Sequence, residues 1–490
     1  MMGERQVDQG ALFYEFSLER HVPVDHLLRA LDRFVDLDGV RAHMAPFYSA
    51  MGRPSVDPEL LIRMLLIGYC YGIRSERRLC EEVHLNLAYR WFCRLGLDAD
   101  VPDHSTFSKN RHGRFRDSDL MRHLFETVLR RCVDEGLVGG EGFAVDASLI
   151  RADANRQKGV EGSKGLPPEM TGRAIDEYLA VLDDAAFGAP TEVPPKFISP
   201  ADPAARWTAA NGGLAFFAYS TNYLIDLDHA IIVDVEASTA MRQAEVTAAK
   251  TMIDRVDERF DLCPQRLAAD TAYGSAEMLD WLLNARGIEP HIPVFDKSKR
   301  ADDTFSRSDF TYDREEDVYT CPGGKTLTCT GTLVNDGTTL MYRASKYDSD
   351  ACALKQRCCP NTPAGKVPRS IHEGARDMAR KIAKTEAYVV SRRQRKKVEM
   401  LFAHLKHILR LDRLRLRGPC GAHDEFLLAA TVQNLRRLAK LIPMPQPAMA
   451  TCASPSDSVA WPNLTIAALM TSNVAEFFNE IGQKWTWRRR

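Results

Sequence analysis

Residues 267–274 read Leu-Ala-Ala-Asp-Thr-Ala-Tyr-Gly, and residues 143–146 read Phe-Ala-Val-Asp. Each stretch is a short apolar run that ends in an aspartate, which is typical of a buried strand with a carboxylate at its end. Asp146 and Asp270 therefore hold equivalent positions in two predicted strands. Their carboxylates can meet at one point only if the sheet order brings the two strands together.

A third acid, Glu399, lies in a strongly basic stretch that runs from Arg392 to Lys406 and has helical periodicity. On a helix, Arg395, Glu399 and Lys406 fall within about 40° of one another. A separate apolar stripe lies roughly 80–100° away and consists of Val398, Phe402, Leu405 and Leu409. One face of this helix can therefore pack on a sheet while its shoulder presents an acid flanked by cations.

Three carboxylates that meet at one point repel each other unless divalent cations neutralise them, and hard oxygen ligands suit Mg²⁺ or Mn²⁺. Two such ions about 3.5–4 Å apart form the usual clamp for in-line attack on a phosphodiester. The predicted elements follow an RNase H-like order of strand, hairpin, helix, strand, helix and strand. They are a strand ending near Asp146, a hairpin at 216–225 and 230–235, a helix at 241–259, a strand at 267–270, a helix at 276–285 and a strand at 288–294. The expected fold is α/β, an RNase H-like catalytic core with insertions, preceded by an all-α N-terminal domain.

With these residues the chain resembles the DDE transposases of bacterial insertion sequences, in particular the branch with a helical N-terminal domain and a cysteine-containing insertion. The resemblance extends over nearly the whole chain. Arg395, Glu399 and Lys406 match the family signature Tyr-x2-Arg-x3-Glu-x6-Lys in type and spacing, whereas Arg392 stands at the tyrosine position. The resemblance implies that Asp146, Asp270 and Glu399 are the catalytic, metal-binding triad, and it implies no tyrosine function at position 392.

The composition, 45% hydrophobic and 27% charged residues, is that of an ordinary globular protein. A length of 490 residues predicts two or three domains. No run of about 18 apolar residues is present, and the first residues lack the apolar core of a signal peptide. We therefore expect a cytoplasmic, bacterial and nucleoid-associated protein.

The overall net charge of −1 hides a strong local asymmetry. Residues 391–417 carry ten Lys and Arg against two acids, Glu399 and Asp412, a local net charge of +8. A charge run alone fits a solvated face equally well. The acid at the right helical register favours phosphate binding, and the cations predicted to contact DNA here are Arg392, Arg395, Lys396 and Lys406.

Residues 1–140 are predicted to form a helical domain, and the resemblance implies that this domain binds the DNA ends of the element. Asp57 followed by Pro58 is a strong helix start, and Ser75 and Ser118 are predicted to begin further helices. Ser105 is predicted to cap a short basic segment that contains Lys109 and Arg111, which we expect to contact DNA. Short helices in this arrangement suit a helix-turn-helix-like DNA binder, and a plain helical bundle fits nearly as well.

Five of the twelve cysteines lie between residues 321 and 359, within a predicted insertion at 301–374. Such clustering suggests a structural Zn²⁺ site with Cys321, Cys352 and Cys358 as ligands, and the alternative is a set of reduced, partly buried thiols. The remaining predicted boundaries are a core segment at 141–300 with an insertion at 151–213, final core helices at 375–440, and a linker with a C-terminal tail at 441–490.

The function predicted from these features is metal-dependent cleavage and strand transfer of double-stranded DNA by an insertion-sequence transposase. Its DNA partners would be the terminal inverted repeats and the target, and the enzyme would act as a homodimer in the DNA complex. The alternatives are an RNase H-like nuclease that does not transfer strands, and a domesticated, non-catalytic DNA-binding protein. A pure binder has no need to keep three repelling carboxylates together.

Overall fold

The structure is a computed structural model, and it describes residues 16–49, 51, 55–166, 170–180, 195–209, 213–296, 302–335 and 337–443. The predicted linker and C-terminal tail lie outside these residues from position 444 onward. The first fifteen residues also lie outside them.

Residues 16–135 are helical, as the sequence predicts. The helices of this region are Leu18–His21, Leu27–Asp32, Val40–Met44, Pro58–Cys70, Glu76–Leu85, Leu87–Phe92, His104–Arg111, Arg114–Asp117 and Leu120–Asp134. Most side chains of Pro58–Cys70 are buried. Their apolar surface forms one continuous core with that of the sheet described below.

Two of the predicted helix starts are confirmed and two are wrong. The Asp57 carboxylate accepts a hydrogen bond from Glu59 N at 3.1 Å, and Ser75 caps the helix that begins at Glu76. The basic segment, however, is capped by Asp103, whose carboxylate accepts from Ser105 N at 2.8 Å. A carboxylate two residues upstream of the predicted cap already satisfies the free N–H groups, so Ser105 lies inside the helix. The other helix begins after Asp119, which has a left-handed backbone (φ 49°), and not at Ser118.

The central sheet mixes antiparallel and parallel strands. Strand Phe216–Asp226 pairs antiparallel with Gly142–Arg151 on one side and with Ile232–Thr239 and Arg206–Thr208 on the other. Gly142–Arg151 in turn pairs parallel with Arg266–Ala268, which pairs parallel with Glu289–His291. Numbered by the five main strands in chain order, the sheet runs 3-2-1-4-5. The predicted hairpin is confirmed, with strands Phe216–Asp226 and Ile232–Thr239, and the predicted strands at 267–270 and 288–294 are present but shorter, at Arg266–Ala268 and Glu289–His291.

The strand that contains Asp146 does not end there, contrary to the prediction. It continues to Arg151 because residues 147–151 stay paired with residues 218–222 of the neighbouring strand. Asp146 therefore lies in the middle of a strand, opposite Tyr223.

Helices cover the sheet and connect its strands. They are Arg242–Phe260, Ala276–Asp280 with the π-helical turn Trp281–Ala285, Glu373–Ile382, Glu386–Gln394, Lys396–His407 and Gly418–Leu441. Helix Gly418–Leu441 is hydrogen-bonded to both strands of the hairpin. Asn434 bonds to both the N–H and the C=O of Ile232, and the Gln433 side-chain oxygen accepts a hydrogen bond from the Tyr223 hydroxyl at 2.9 Å. Within the described ranges, no helix is long and apolar enough to span a membrane.

The two predicted insertions contain regular structure. The first contains a two-stranded antiparallel sheet, Val160–Glu161 with Phe197–Ile198, and the helix Arg173–Ala180. The second forms an antiparallel sheet with its own apolar cluster around Tyr319, Leu327 and Tyr342. Its strands are Thr311–Asp313, Val318–Thr320, Thr326–Val334, Thr339–Ala344 and Lys366–Ser370, with short helices Lys346–Asp350 and Lys355–Cys358.

A buried ionic network joins the N-terminal helices to this sheet. Arg122, on the last N-terminal helix, donates to the Asp234 carboxylate of the hairpin and to Val235 O at 2.9 Å. Arg255, on the helix that follows the hairpin, donates to the other Asp234 oxygen at 2.8 Å. The Arg122 and Asp234 side chains are 4% and 2% exposed. Both arginines also lie within 4 Å of the Glu236 carboxylate, so removing Arg122 leaves two acids, Asp234 and Glu236, with Arg255 as their partner. One negative charge in the interior is then uncompensated.

We expect Arg122→Ala to lower the free energy of unfolding by about 3–5 kcal/mol, measured by chemical denaturation. Arg130→Ala on the same helix is the matched control, because the Arg130 side chain is 54% exposed and its ion pair with Glu126 is a surface one. The guanidinium nitrogen and the carboxylate oxygen of that pair are 3.8 Å apart. Arg130→Ala should lower the free energy of unfolding by less than about 1 kcal/mol. Equal losses for the two variants would show that the buried network does not anchor the N-terminal helices.

Candidate active site

The candidate site lies where two parallel strands separate. Their last paired residues are Ala144 and Ala268. Asp146 and Asp270 each lie two residues beyond that pair, so both carboxylates stand at the opening between the strands. The predicted strand at 267–270 ends earlier, at Ala268, so Asp270 stands just after the strand and not at its last residue.

Asp146 is held on the paired side of the opening. Its carboxylate accepts hydrogen bonds from its neighbour Ala147 N at 2.9 Å and from the Arg395 guanidinium at 2.8 Å. Burial raises the pKa of Asp146 to about 6, and the negative charges of Asp270 and Glu399 add to the rise, while the Ala147 N–H and Arg395 oppose it. The charges of the other two predicted acids thus both act on Asp146.

Asp270 caps a short 3-10 helix, Thr271–Tyr273, by accepting from Ala272 N at 2.7 Å. Arg242 holds the turn from outside through hydrogen bonds to Thr271 O at 2.9 Å and Ala272 O at 2.8 Å. At Gly274 a Cβ atom would lie 2.0 Å from Pro293 O, so only glycine permits this close approach. The turn that presents Asp270 is therefore fixed from both sides.

Glu399 stands in the first turn of helix Lys396–His407, and its side chain is 57% exposed. The predicted apolar stripe of this helix, from Val398 to Leu409, is buried against the core. The predicted uninterrupted helix across 392–406 is wrong, because one helix ends at Gln394 and the next begins at Lys396. Arg395 lies between the two helices as their shared cap.

Arg395 links two of the acids. One guanidinium nitrogen donates to Asp146 at 2.8 Å and the other to Glu399 at 3.2 Å. The side chain is 21% exposed. In this arrangement Arg395 neutralises carboxylates, whereas the sequence predicts a contact with DNA phosphates.

The donor set fits a hard divalent cation, because it consists of carboxylate oxygens and already holds one positive group between two of them. Among the described residues, no three acidic, histidine or cysteine side chains are arranged to enclose a metal ion. Arg395 occupies one oxygen of each of two acids, Oδ2 of Asp146 and Oε1 of Glu399.

Two further groups face these acids and were missed by sequence reasoning. Glu245, near the start of helix Arg242–Phe260, is half-buried and accepts from the Ser220 hydroxyl at 2.6 Å. Burial raises the pKa of Glu245, and the charges of Asp146 and Asp270 add to this. Tyr273 is fully buried, and its hydroxyl has no hydrogen-bond partner within the described part of the chain. The available sequence signal for Glu245 was its place on the helix that follows the hairpin.

The other predicted DNA contacts differ in accessibility. Arg392, Lys396 and Lys109 are exposed. Lys406 is half-buried, and burial lowers the pKa of its amine. Arg111, however, is buried and ion-paired with Glu76, so its charge is already used inside the protein.

The cysteines predicted to bind zinc share one small cavity. Cys321, Cys352 and Cys358 line it together with Cys359, which the sequence reasoning did not include. Burial raises the pKa of the Cys358 thiol to about 11, and the thiol groups of Cys359, Cys321 and Cys352 contribute. Since the described residues contain no group of three that encloses a metal ion, zinc binding by these residues stays a prediction.

The raised pKa of Asp146 gives a pH-dependent prediction for the metal-free protein. Its folded pKa of about 6 lies above the usual 3.8, so the stability it contributes is present below about pH 4 and is lost as pH rises through 6. In EDTA, Asp146→Asn should therefore be more stable than the wild type at pH 7.5, by on the order of 2 kcal/mol. Thermal denaturation from pH 4 to pH 8 should show the difference shrinking as the pH falls.

Asp134→Asn, at an exposed carboxylate on an N-terminal helix, controls for the loss of one surface charge and should show no such pH-dependent gap. If Asp146→Asn is less stable than the wild type at pH 7.5, the ionised Asp146 carboxylate does not destabilise the metal-free protein.

Comparison with known proteins shows the family of this chain. Residues 139–435 match the family described as Transposase DDE domain, and residues 16–113 match the family described as Transposase domain (DUF772). Among solved structures, a cryo-EM structure of the piggyBac transposase synaptic complex with hairpin DNA matches at 9% identity and a TM-score of 0.33, covering 84% of this chain and 74% of that chain. Because the first match spans more than half of the 490 residues and includes all three acids, the chain belongs to the DDE transposases of insertion sequences.

Proposed function

We propose that Asp146, Asp270 and Glu399 bind Mg²⁺ or Mn²⁺ and that this site cuts and joins DNA on an RNase H-like core. The observation that carries the proposal is the position of the two aspartates, each two residues beyond the last pair of neighbouring parallel strands. The order of elements supports the core assignment, because strand, hairpin, helix, strand, helix and strand follow one another as predicted.

When bound, a pair of divalent ions would activate water or a DNA 3′-hydroxyl and stabilise the leaving oxygen of an in-line displacement. The chain's own residues prepare the site for this. The turn fixed by Arg242 and Gly274 orients the Asp270 carboxylate. Buried Tyr223 and Phe402, whose rings lie 4.8 Å apart, pack the Glu399 helix against the strand next to Asp146.

Arg395 has two roles in this proposal. In the absence of metal its guanidinium offsets the repulsion between Asp146 and Glu399. Once displaced by a divalent cation, it lies beside the reaction centre with free donors that suit phosphate oxygens. The same group thus holds the acids before DNA arrives and contacts the scissile strand afterwards.

Double-stranded DNA would lie along the exposed cations next to the site. Arg392 and Lys396 stand on the two helices that meet at Arg395, and both are exposed. Lys397 is excluded from this surface, since its amine donates to the backbone carbonyls of Leu227 and Asp228. Recognition of the element ends by residues 16–113, with exposed Lys109, and a homodimer in the DNA complex complete the proposal.

Glu399→Gln tests the catalytic assignment, because it keeps size and hydrogen-bonding capacity but removes the charge that holds metal. We expect this variant to fold and to bind element ends while losing both cleavage and strand transfer by at least about 100-fold, since both steps use the same metal site. Labelled DNA ends with Mg²⁺ or Mn²⁺ would report both activities. Glu386→Gln, at an exposed acid on the preceding helix, should leave them unchanged.

The wild type should also join a pre-cleaved 3′-hydroxyl end into target DNA. Joined product made by Glu399→Gln would refute the catalytic role of Glu399. Cleavage by the wild type without any joining would favour a simple nuclease, and DNA binding with neither activity would favour a domesticated binder.

The DNA surface is tested by the salt dependence of binding. We expect Arg392→Ala to weaken binding of DNA ends and to reduce the slope of log Kd against log salt concentration by about one, because one phosphate contact and its released counterion are lost. Arg314→Ala, at an exposed arginine in the cysteine-containing sheet, is the control with an unchanged slope. Identical slopes for the wild type and both variants would show that Arg392 makes no phosphate contact and only faces solvent.

A further inference from the structure

We propose that Glu245 is a fourth carboxylate of the active site and binds the catalytic metal together with Asp146 and Asp270. This inference rests on the proposed metal-binding function of the site. It adds a ligand that lies outside the Asp-Asp-Glu triad.

The first argument is the docking of the helix that carries Glu245. Its first residue, Arg242, donates to the two carbonyls of the Asp270 turn, Thr271 O and Ala272 O. Glu245 follows three residues later, which places it on the same side of the helix as Arg242, about one turn further along. The start of this helix is therefore fixed to the turn that presents Asp270.

The second argument is the side of the sheet from which Glu245 approaches. Tyr223, opposite Asp146, packs on Phe402 of the Glu399 helix. Ser220, which bonds to Glu245, is three residues from Tyr223 along the same strand, so its side chain points to the opposite face. Glu245 thus lies on the face of the sheet opposite to the Glu399 helix, whereas Asp146, paired with Tyr223, lies on the face of that helix. A metal ion bound by both Asp146 and Glu245 would therefore have to lie at the opening between the strands.

The third argument is that Glu245 has no salt bridge within the described residues, although the charge of Arg242 one helical turn away lowers its pKa. Two buried acids of the core are ion-paired, Asp234 with Arg122 and Arg255, and Glu425 with Arg74, whereas buried Asp202 accepts a hydrogen bond from the Tyr219 hydroxyl instead. Glu245 forms no salt bridge with any residue that the structure describes, and only one of its two oxygens, Oε1, accepts a hydrogen bond there. A half-buried carboxylate beside two like charges is unfavourable unless a cation binds it.

The buried hydroxyl of Tyr273 points to the same conclusion. The charges of Glu245, Asp146 and Asp270 all act on it, and together with burial they raise the pKa of Tyr273 well above its usual value. This hydroxyl remains a neutral donor without an acceptor among the described residues. It is placed to orient the oxygens of these acids once a metal ion draws them together.

Glu245→Gln separates a metal ligand from a structural residue, because the glutamine can still accept the Ser220 hydrogen bond. We expect Mn²⁺ affinity, measured by titration calorimetry on the full-length protein, to fall at least about tenfold. In EDTA the melting temperature should stay equal to that of the wild type or rise, since a repelling charge is removed. Glu258→Gln, at an exposed acid roughly 20 Å along the same helix, should change neither quantity.

Asp146→Asn, measured in parallel, distinguishes failure of this inference from failure of the proposed function. If Asp146→Asn weakens Mn²⁺ binding and Glu245→Gln does not, Glu245 is no ligand and the triad stands. If the wild type itself binds no Mn²⁺ up to millimolar concentration, the proposed metal site fails and this inference with it.

A lower melting temperature of Glu245→Gln in EDTA with unchanged Mn²⁺ affinity would assign Glu245 to structure alone. Glu245→Asp, which keeps the charge, should retain more Mn²⁺ affinity than Glu245→Gln, and equal losses for the two would also overturn the inference.

Discussion

The separation of two parallel strands after Ala144 and Ala268 is the constraint on which the rest of the site depends. Beyond this pair the strands leave a gap in the sheet, and the side chains on either side of the gap can approach one another from both faces. Acids placed there repel each other and lose hydration, as the raised pKa of Asp146 shows. The chain offsets this with a single guanidinium, Arg395, which it holds rigidly by placing it between two helices. The fold therefore keeps its acids together at a cost in stability that a bound cation would remove.

Rigid support on the far side of the sheet makes this arrangement possible. The hairpin beside Asp146 is tied to the N-terminal helices through Asp234 of its outer strand, which pairs with Arg122. It is tied to the long helix Gly418–Leu441 through Tyr223 and Ile232, which bond to Gln433 and Asn434. These contacts are buried, so they resist the repulsion at the gap without taking part in it. The N-terminal region and the core consequently share one apolar interior, and a DNA end bound by the first would be positioned relative to the second.

The parts of the fold that the sequence predicts are those governed by local rules. The Asp270 turn, the hairpin, the cap at Asp57 and the buried stripe from Val398 to Leu409 all depend on side-chain periodicity or on hydrogen bonds between near neighbours. The continuation of the strand past Asp146 depends on pairing with residues 218–222, which no local pattern contains. Likewise, the pairing of Arg111 with Glu76 and the placement of Glu245 depend on contacts between separate helices and strands. For the proposed site, Asp146 and Asp270 were predicted from apolar runs that end in an aspartate, although Asp146 lies inside its strand. Glu399 was predicted from the cations around it, whereas Glu245, which is likewise the fourth residue of its helix, has no such local signal.

Charge balance connects these observations to the reaction. Asp146, Asp270, Glu245 and Glu399 together carry four negative charges when ionised, and Arg395 supplies one positive charge in return. A pair of divalent cations would supply four, which matches the acids and releases Arg395 to meet the negative charge of DNA. Under this proposal the same exchange of cations would order the acids and create a phosphate contact beside them. The metal-free protein thus stores, as repulsion between carboxylates, part of the free energy with which it would bind its metal ions.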